Sequence, residues 1–156
     1  MPANLGVFFD TYIPMIIPTE NKEYLSIATW NIEGLLTRDG TNKLDVFNIQ
    51  SYVNSFDIFC LNETWQNNNM HITFPGYTVF TSTRQYRHNR AKRSSGGVAV
   101  LVRNSLVKGI SKEKSLSDDT IWLKLSKKFF HLPYDIYLCC CYLIPQNSSI
   151  FSWNEI

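Results

Sequence analysis

The chain has 156 residues, of which 44% are hydrophobic and 18% are charged, so it can bury a core and is not intrinsically disordered. The formal net charge of +2 is too small to indicate a partner, and the length corresponds to one domain or to part of a larger one. No apolar stretch approaches the roughly 18 residues that a transmembrane helix needs, and the opening residues lack the basic start of a signal peptide. We therefore expect an intracellular protein, nuclear or cytoplasmic, without a membrane partner.

The four cysteines, at positions 60, 139, 140 and 141, include three in succession. Consecutive residues of a strand point to opposite faces, so these three thiols cannot converge on one metal ion, and they cannot form a disulfide framework. We expect the cysteines to be small core residues in a reducing compartment. Trp30, Trp65 and Trp122 are also expected in the core, because aromatic side chains bury large areas.

The first elements in chain order predict a βαβ unit. Residues 1–23 carry three of the six prolines without a clear period, so we interpret them as a leader or draped segment, and 24–156 as the domain. Alternation over 24–30 predicts a strand. The apolar stripe of Val46, Ile49, Val53 and Phe56 predicts an amphipathic helix over 42–56. The apolar run at 58–61 predicts a strand that is buried on both faces.

Strand candidates follow one another without intervening helices in the second half of the chain. They cover residues 97–103, 120–125 and 134–143, which indicates antiparallel pairing, whereas 108–114 are interpreted as a solvated turn. The right-handed crossover of a βαβ unit leaves its two strands parallel. The sequence therefore predicts an α/β fold, a layered sandwich with sheet packed on sheet and a helix outside.

Polar residues follow the two parallel strands where each one ends. Asn31 and Glu33 follow the first strand and Glu63 follows the second, so the three are expected to meet at one sheet edge. Two carboxylates and an amide, with no basic residue adjacent in sequence, suit Mg²⁺, which binds one or two carboxylates together with waters. The alternative is that these residues are ordinary solvated turn residues.

Five basic residues fall within ten positions, with no acidic residue among them: Arg84, Arg87, Arg90, Lys92 and Arg93. A cationic loop beside a metal site can follow a DNA backbone through counterion release. The alternative is a flexible hairpin loop that its charge keeps soluble.

Four motifs in order resemble the endonuclease/exonuclease/phosphatase superfamily, whose fold is the DNase I-like α/β-β/α sandwich. The order and spacing are most similar to the apurinic-endonuclease-like domains at the N-terminus of non-LTR (LINE-type) retrotransposon polyproteins. The motifs are WNIEG with LNETW (30–34 and 61–65), FPGY (74–77), GGVAVLV (96–102), and CYLIP with Ser148 (141–145).

The resemblance implies roles for the residues that match. Glu63 would be the principal ligand of Mg²⁺, with Mn²⁺ as the alternative ion, and Glu33 a secondary metal contact. Asn31 would position water and phosphate, and Tyr142 would hydrogen-bond the scissile phosphate. The implied partner is DNA, with a reverse transcriptase domain downstream in the parent element.

The later motifs of the family, a G-D-F-N-like and an S-D-H-like stretch, do not occur in these 156 residues. The three histidines follow Met70, Arg87 and Phe130, so no Asp precedes any of them. We expect a truncated, inactive domain: a gene fragment, a degraded copy or an incomplete gene model. The alternatives are a non-catalytic remnant that binds nucleic acid, and a phosphatase or phosphodiesterase of the same fold that acts on another substrate.

Overall fold

The structure is a computed structural model, and it describes residues 15–17, 25–66, 70–83 and 96–143. Within these residues the chain forms eight strands, two short α-helices and two 3₁₀ helices. The strands are β1 (Met15–Ile17), β2 (Leu25–Asn31), β3 (Ile58–Asn62), β4 (Tyr77–Ser82), β5 (Val98–Arg103), β6 (Ile110–Glu113), β7 (Thr120–Leu125) and β8 (Ile136–Cys141). The α-helices are α1 (Phe47–Val53) and α2 (Lys127–Phe130), and the 3₁₀ helices span Lys43–Asp45 and Asn104–Gly109.

The strands form two sheets in the described part of the chain. The larger sheet has the order β1-β2-β3-β5-β4, and the smaller has the order β6-β7-β8. β2 and β3 are parallel, with Ile27 opposite Ile58 and Asn31 opposite Asn62, and α1 lies in the crossover between them. The other pairs are antiparallel. The predicted βαβ unit followed by antiparallel strands is therefore confirmed.

Two hydrophobic layers lie on the two faces of the larger sheet. One layer joins Phe59 and Leu61 of β3 to the α1 side chains Ile49 and Val53. The other joins alternate β3 residues, such as Ile58, to the inner face of the smaller sheet. Residues 58–61 are all buried, because β3 has a packed layer on each side. This arrangement is the predicted layered sandwich, with a helix on one outer face.

The helix predicted over 42–56 is shorter than expected. Asn42 caps the first 3₁₀ turn, because its Oδ1 accepts a hydrogen bond from the Leu44 N–H at 3.0 Å. Val46 then has extended backbone angles (φ −73°, ψ 124°), so α1 begins only at Phe47. The apolar stripe keeps its function across this break, since Ile49, Val53 and Phe56 are buried and the partly buried Val46 packs against the same core.

The interpretation of 108–114 as a solvated turn is wrong, because Ile110–Glu113 form β6 at the edge of the smaller sheet. An edge strand with one buried residue and polar neighbours has little hydrophobic alternation, which explains the error. Trp122 is 38% exposed, since it alternates in β7 with Ile121 and Leu123, which face the inter-sheet core. Trp30 is buried as expected.

Three further outcomes concern the chain start, the membrane and the cysteines. In the segment interpreted as a leader, β1 pairs antiparallel with β2, and the other residues before Leu25 lie outside the described residues. Over the described ranges, no helix has the length and hydropathy needed to cross a bilayer. All four cysteines are free; Cys60 and Cys140 are buried as expected, whereas Cys141 is exposed.

Candidate functional site

The ends of β2 and β3 continue side by side beyond the sheet. The Ile32 N–H donates to the Asn62 carbonyl at 2.9 Å, the Gly34 N–H to the Glu63 carbonyl at 2.7 Å, and the Leu35 N–H to the Thr64 carbonyl at 3.0 Å. We call residues 31–35 and 62–65 the rim. Asn31, Glu33 and Glu63 thus lie on two adjacent, hydrogen-bonded segments at one sheet edge, as the parallel arrangement predicts.

The rim concentrates unusual backbone conformations. Glu33 (φ 46°), Glu63 (φ 54°) and Trp65 (φ 50°) are three of the four non-glycine residues with positive φ in the described part of the chain. A left-handed conformation costs an L-residue roughly 1–2 kcal/mol. Such conformations persist where surrounding contacts impose them, and they cluster at functional sites. The inter-segment hydrogen bonds supply these contacts and fix where both glutamates leave the backbone.

Asn31 shapes the turn that leads to Glu33. Its Oδ1 accepts a hydrogen bond from the Glu33 N–H at 3.2 Å, and its side chain lies at the exposed end of β2. Because the amide oxygen is committed to the turn, the Nδ2 group is the part of Asn31 that could donate to an anionic oxygen. Asn31 can therefore hold the turn through Oδ1 and donate a hydrogen bond to a ligand through Nδ2.

Lys43 reaches the rim from the first 3₁₀ helix, and the sequence interpretation missed it. Its ammonium Nζ donates to the Ile32 carbonyl at 2.5 Å and to the Glu33 carbonyl at 3.2 Å. Burial lowers the pKa of Lys43 below its ordinary value, and the nearby Glu33 carboxylate partly opposes this shift. No basic residue is adjacent to the carboxylates in sequence, but in the folded chain Lys43 lies near Glu33.

Asn62 joins the two sheets directly beside Glu63. Its Nδ2 donates to Thr29 Oγ1 at 3.1 Å, and its Oδ1 lies 3.5 Å from the Cys140 thiol of β8. The hydrogen bond with Cys60, and then burial, raise the pKa of the Cys140 thiol, so this group remains a neutral donor. A polar residue at an inward-facing position of a buried strand was the available sequence signal for Asn62.

Tyr142 follows β8 and shares the face of Cys140, two residues earlier. Its backbone N–H donates to the Asp119 carbonyl at 2.9 Å, and its half-buried side chain packs against the inter-sheet core. The Cys140–Asn62 contact connects this strand to the rim. Tyr142 therefore lies two residues along the chain from Cys140, the residue of the smaller sheet that contacts Asn62 of the rim.

Two glycines let the rim pack closely. A Cβ on Gly34 (φ 84°) would lie 2.2 Å from the Trp65 ring, and one on Gly97 (φ 80°) would lie 2.7 Å from Thr64 Oγ1. At both positions the backbone has a positive φ and a neighbouring side chain lies where a Cβ would be, so only glycine fits without strain. Thr64 Oγ1 is buried and has no hydrogen-bond partner among the described residues.

The donor chemistry of the rim fits a hard divalent cation. The described residues contain no group of three or more His, Cys, Asp or Glu side chains arranged to hold a metal ion. Mg²⁺ does not require such a group, since it binds through one or two carboxylates and keeps several waters. Glu63 and Glu33 are the carboxylates available for this purpose. The basic residues Arg84, Arg87, Arg90, Lys92 and Arg93 lie outside the described residues.

Two packed sheets, a parallel strand pair and acidic residues at its carboxyl edge define a layered sandwich protein with the DNase I-like arrangement. The chain matches the Endonuclease/Exonuclease/phosphatase family over residues 28–135, which is more than half of its length, and the protein belongs to this family. The family implies phosphodiester hydrolase activity in general, and its enzymes generally depend on a divalent metal. The matched region contains Asn31, Glu33 and Glu63 and ends before Tyr142. No curated protein matches the chain.

Proposed function

We propose that this protein is an endonuclease domain of the LINE-type retrotransposon kind that binds DNA and Mg²⁺, or Mn²⁺ in its place, and that its 156 residues alone have no nuclease turnover. One observation carries the proposal: in a chain of this family, Asn31, Glu33 and Glu63 lie on two hydrogen-bonded segments at one sheet edge. A reverse transcriptase domain downstream in the parent element belongs to the same proposal. The gene sequence that follows the codon for Ile156 tests that part.

The proposed roles follow from the chemistry of each side chain. Glu63 and Glu33 hold the divalent cation, which when bound supplies Lewis-acid stabilisation of the phosphoryl oxygens. Asn31 uses its Nδ2 to orient the phosphate, because its Oδ1 is bound to the Glu33 N–H. Tyr142 donates its hydroxyl proton in a hydrogen bond to a phosphate oxygen. The fixed backbone of the rim holds Asn31, Glu33 and Glu63 in place before the substrate arrives.

Metal binding to the rim is the direct test. Mn²⁺ should broaden the NMR amide signals of Gly34 and Thr64, which lie beside the two glutamates. Glu63→Ala should weaken Mn²⁺ binding by more than about tenfold, because even the outer-shell partners of a metal ligand are typically worth 10–100-fold in affinity. Glu113→Ala in β6 is the matched control, and it should leave the affinity unchanged. Equal Mn²⁺ affinities of the wild type and the Glu63→Ala variant would contradict the proposal.

DNA as the partner rests on the basic segment at 84–93. Replacing Arg84, Arg87 and Arg93 by Gln should reduce the slope of log affinity against log salt by up to about 2.7, since each phosphate contact contributes about 0.9. The control removes the same charge elsewhere, by replacing Lys108, Lys127 and Lys128, which line a groove on the smaller sheet. If both triple variants changed the slope equally, the basic segment would have no special role.

A second candidate function is non-catalytic binding of nucleic acid. The observation that favours it is the sequence itself, because none of the three histidines follows an Asp and no G-D-F-N-like stretch occurs. These groups would orient the attacking water and bind the phosphate in the family that the chain resembles. The two candidates share the basic segment and differ in the cation site: Mn²⁺ binding that Glu63→Ala weakens supports the endonuclease domain, whereas DNA binding without Mn²⁺ binding supports the non-catalytic candidate.

A further inference from the structure

We propose that Lys43 is a positioning residue for the cation site. Lys43 holds the Glu33 turn in the conformation that presents both glutamates to one ion. This inference rests on the proposed function, because it concerns the same rim. Lys43 would bind neither the metal ion nor the substrate. It would act through the backbone of Glu33.

The argument begins with the two peptide groups that flank the Glu33 Cα atom. The Ile32 carbonyl belongs to the first peptide group and the Glu33 carbonyl to the second, and Lys43 Nζ binds both, at 2.5 Å and 3.2 Å. Because each peptide group is planar, fixing the two groups fixes φ and ψ of the residue between them. Lys43 therefore acts on the two dihedral angles that determine where the Glu33 side chain points.

The same two peptide groups are held at their N–H ends as well. The Glu33 N–H donates to Asn31 Oδ1 at 3.2 Å, and the Gly34 N–H donates to the Glu63 carbonyl at 2.7 Å. All four polar atoms around Glu33 therefore have partners. This complete set of contacts accounts for the unfavourable φ of 46° at Glu33. It also links Glu33 to Asn31 and Glu63, the other two residues of the proposed site.

The attachment of Lys43 suits this role. Its backbone N–H donates to the Leu35 carbonyl at 2.9 Å, and Asn42 caps the 3₁₀ helix that begins with Lys43. An ammonium group has three donors, so it can serve two carbonyls at once. The side chain is partly buried, which keeps these charge-assisted hydrogen bonds away from water.

The charge of Lys43 and its contacts with the Glu33 turn should have opposite effects on metal affinity, so the inference can be tested. A cation near Glu33 repels a divalent metal ion, so removing the charge of Lys43 should by itself strengthen metal binding. Loss of the turn geometry should weaken it, and supporting contacts of this kind are typically worth 10–100-fold in metal affinity. The sign of the change in affinity therefore separates a positioning role from a purely electrostatic one.

The experiment measures Mn²⁺ affinity of the whole chain by NMR titration for the wild type, Lys43→Met and Lys43→Arg. Lys43→Met should bind Mn²⁺ about tenfold more weakly, and Lys43→Arg, which keeps the charge and the donors, should recover most of the loss. Lys112→Met is the matched control, because Lys112 Nζ also donates to a backbone carbonyl, that of Thr81 at 2.9 Å, on another part of the fold. This control should retain wild-type affinity.

Hydrogen exchange at Gly34 supplies a second readout that does not depend on metal. The Gly34 amide should exchange faster in Lys43→Met than in the wild type, while amides of β3 keep their protection. If Lys43→Met does not fold, the shorter but polar Lys43→Gln variant replaces it in both measurements. Unchanged or tighter Mn²⁺ binding by folded Lys43→Met, or by Lys43→Gln in its place, would overturn the inference. If Glu63→Ala also leaves Mn²⁺ binding unchanged, the proposed function fails as well; if Glu63→Ala abolishes binding, only the role of Lys43 fails.

Discussion

At the scale of single residues, Glu63 combines a carboxylate with a left-handed backbone, φ 54°. Its two properties can be separated by comparing two substitutions that both remove the carboxylate. Glu63→Gly should be more stable than Glu63→Ala by about 1 kcal/mol, because glycine adopts positive φ without the steric cost that alanine incurs. Urea unfolding of both variants measures this difference.

Mn²⁺ binding is the second property to compare between Glu63→Gly and Glu63→Ala. Both variants should lose Mn²⁺ binding to the same extent, since neither has a ligand at position 63. A Glu63→Gly variant that is no more stable than Glu63→Ala would show that the left-handed backbone carries no strain. The backbone conformation at Glu63 would then provide no argument for function.

At the scale of elements, Asp57 connects three strands of the larger sheet at the strand ends opposite the rim. Its Oδ2 accepts hydrogen bonds from the Ser26 N–H at 3.1 Å and the Ser26 hydroxyl at 2.9 Å, and its Oδ1 lies 3.5 Å from Arg103 Nε. The Asp57 side chain is 3% exposed and that of Arg103 is 34% exposed. Asp57 thus connects the starts of β2 and β3 to the end of β5.

Asp57→Asn should lower the free energy of unfolding by about 2 kcal/mol, because the buried Asp57 carboxylate accepts two hydrogen bonds from Ser26, and hydrogen bonds to charged groups are worth about 1.5–3 kcal/mol. Chemical denaturation measures this loss. Asp45→Asn, at an exposed position, is the control and should change stability by less than about 0.5 kcal/mol. A loss of the same small size at Asp57 would mean that the charge of this carboxylate contributes little to stability.

The segment between β7 and β8 should give the protein an acid-sensitive contribution to stability. The Lys127 N–H donates to Asp135 Oδ1 at 2.8 Å, and Lys124 Nζ lies 3.0 Å from Asp135 Oδ2. The hydrogen bond from Lys127, and then the contact with Lys124, lower the pKa of Asp135 from its ordinary value of 3.8. A lowered pKa stabilises the folded state above pH 3.8, and this stabilisation is lost as the pH falls through the lower folded value.

Urea midpoints of the wild type and Asp135→Asn should therefore differ at about pH 6 and differ less at about pH 2, because protonation of Asp135 removes the charge that distinguishes the two side chains. Ser117→Ala, in the turn before β7, should leave the shape of the pH dependence unchanged. A difference between the wild type and Asp135→Asn that is the same at both pH values would indicate that the contact does not depend on ionisation.

The sequence was informative where a local pattern determined the structure. The uninterrupted run at 58–61 predicted a strand buried on both faces, and the parallel ends of β2 and β3 followed from the βαβ topology. The helix over 42–56 was overpredicted, because hydrophobic spacing does not reveal the extended conformation of Val46. In β7, the alternation with Ile121 and Leu123 already placed Trp122 on the outer face, although aromatic character suggested the core.

The parts of the site that the sequence missed depend on contacts between distant segments. Lys43 binds carbonyls ten and eleven residues earlier, which required the turn from Gly34 to Asn42 to be known. Asn62 contacts Thr29 and Cys140, which are 33 and 78 residues away. No periodicity or motif encodes these distances, since they arise only in the folded chain: β2 and β3 pair to bring Thr29 to Asn62, and the two sheets pack to bring Cys140 to it.

At the scale of the whole molecule, the residues of the proposed site lie on segments that the two packed sheets connect. Glu33, Glu63 and Asn31 lie on the rim, and β8 connects Tyr142 to it through the Cys140–Asn62 contact. The 156 residues contain no Asp-His pair and no G-D-F-N-like stretch to orient and activate water. A positioned acid or base contributes typically 10²–10⁴-fold to such reactions.

We therefore expect the purified 156-residue chain to bind DNA but not to nick supercoiled plasmid in the presence of Mg²⁺ above the level seen with Glu63→Ala. The comparison with Glu63→Ala matters, because a contaminating nuclease would act equally in both preparations. Binding is measured in parallel by fluorescence anisotropy, so that a lack of nicking is not mistaken for a lack of contact. Nicking by the wild type that disappears in Glu63→Ala would contradict the prediction, because the rim and Tyr142 would then suffice to orient the attacking water without the Asp and His groups.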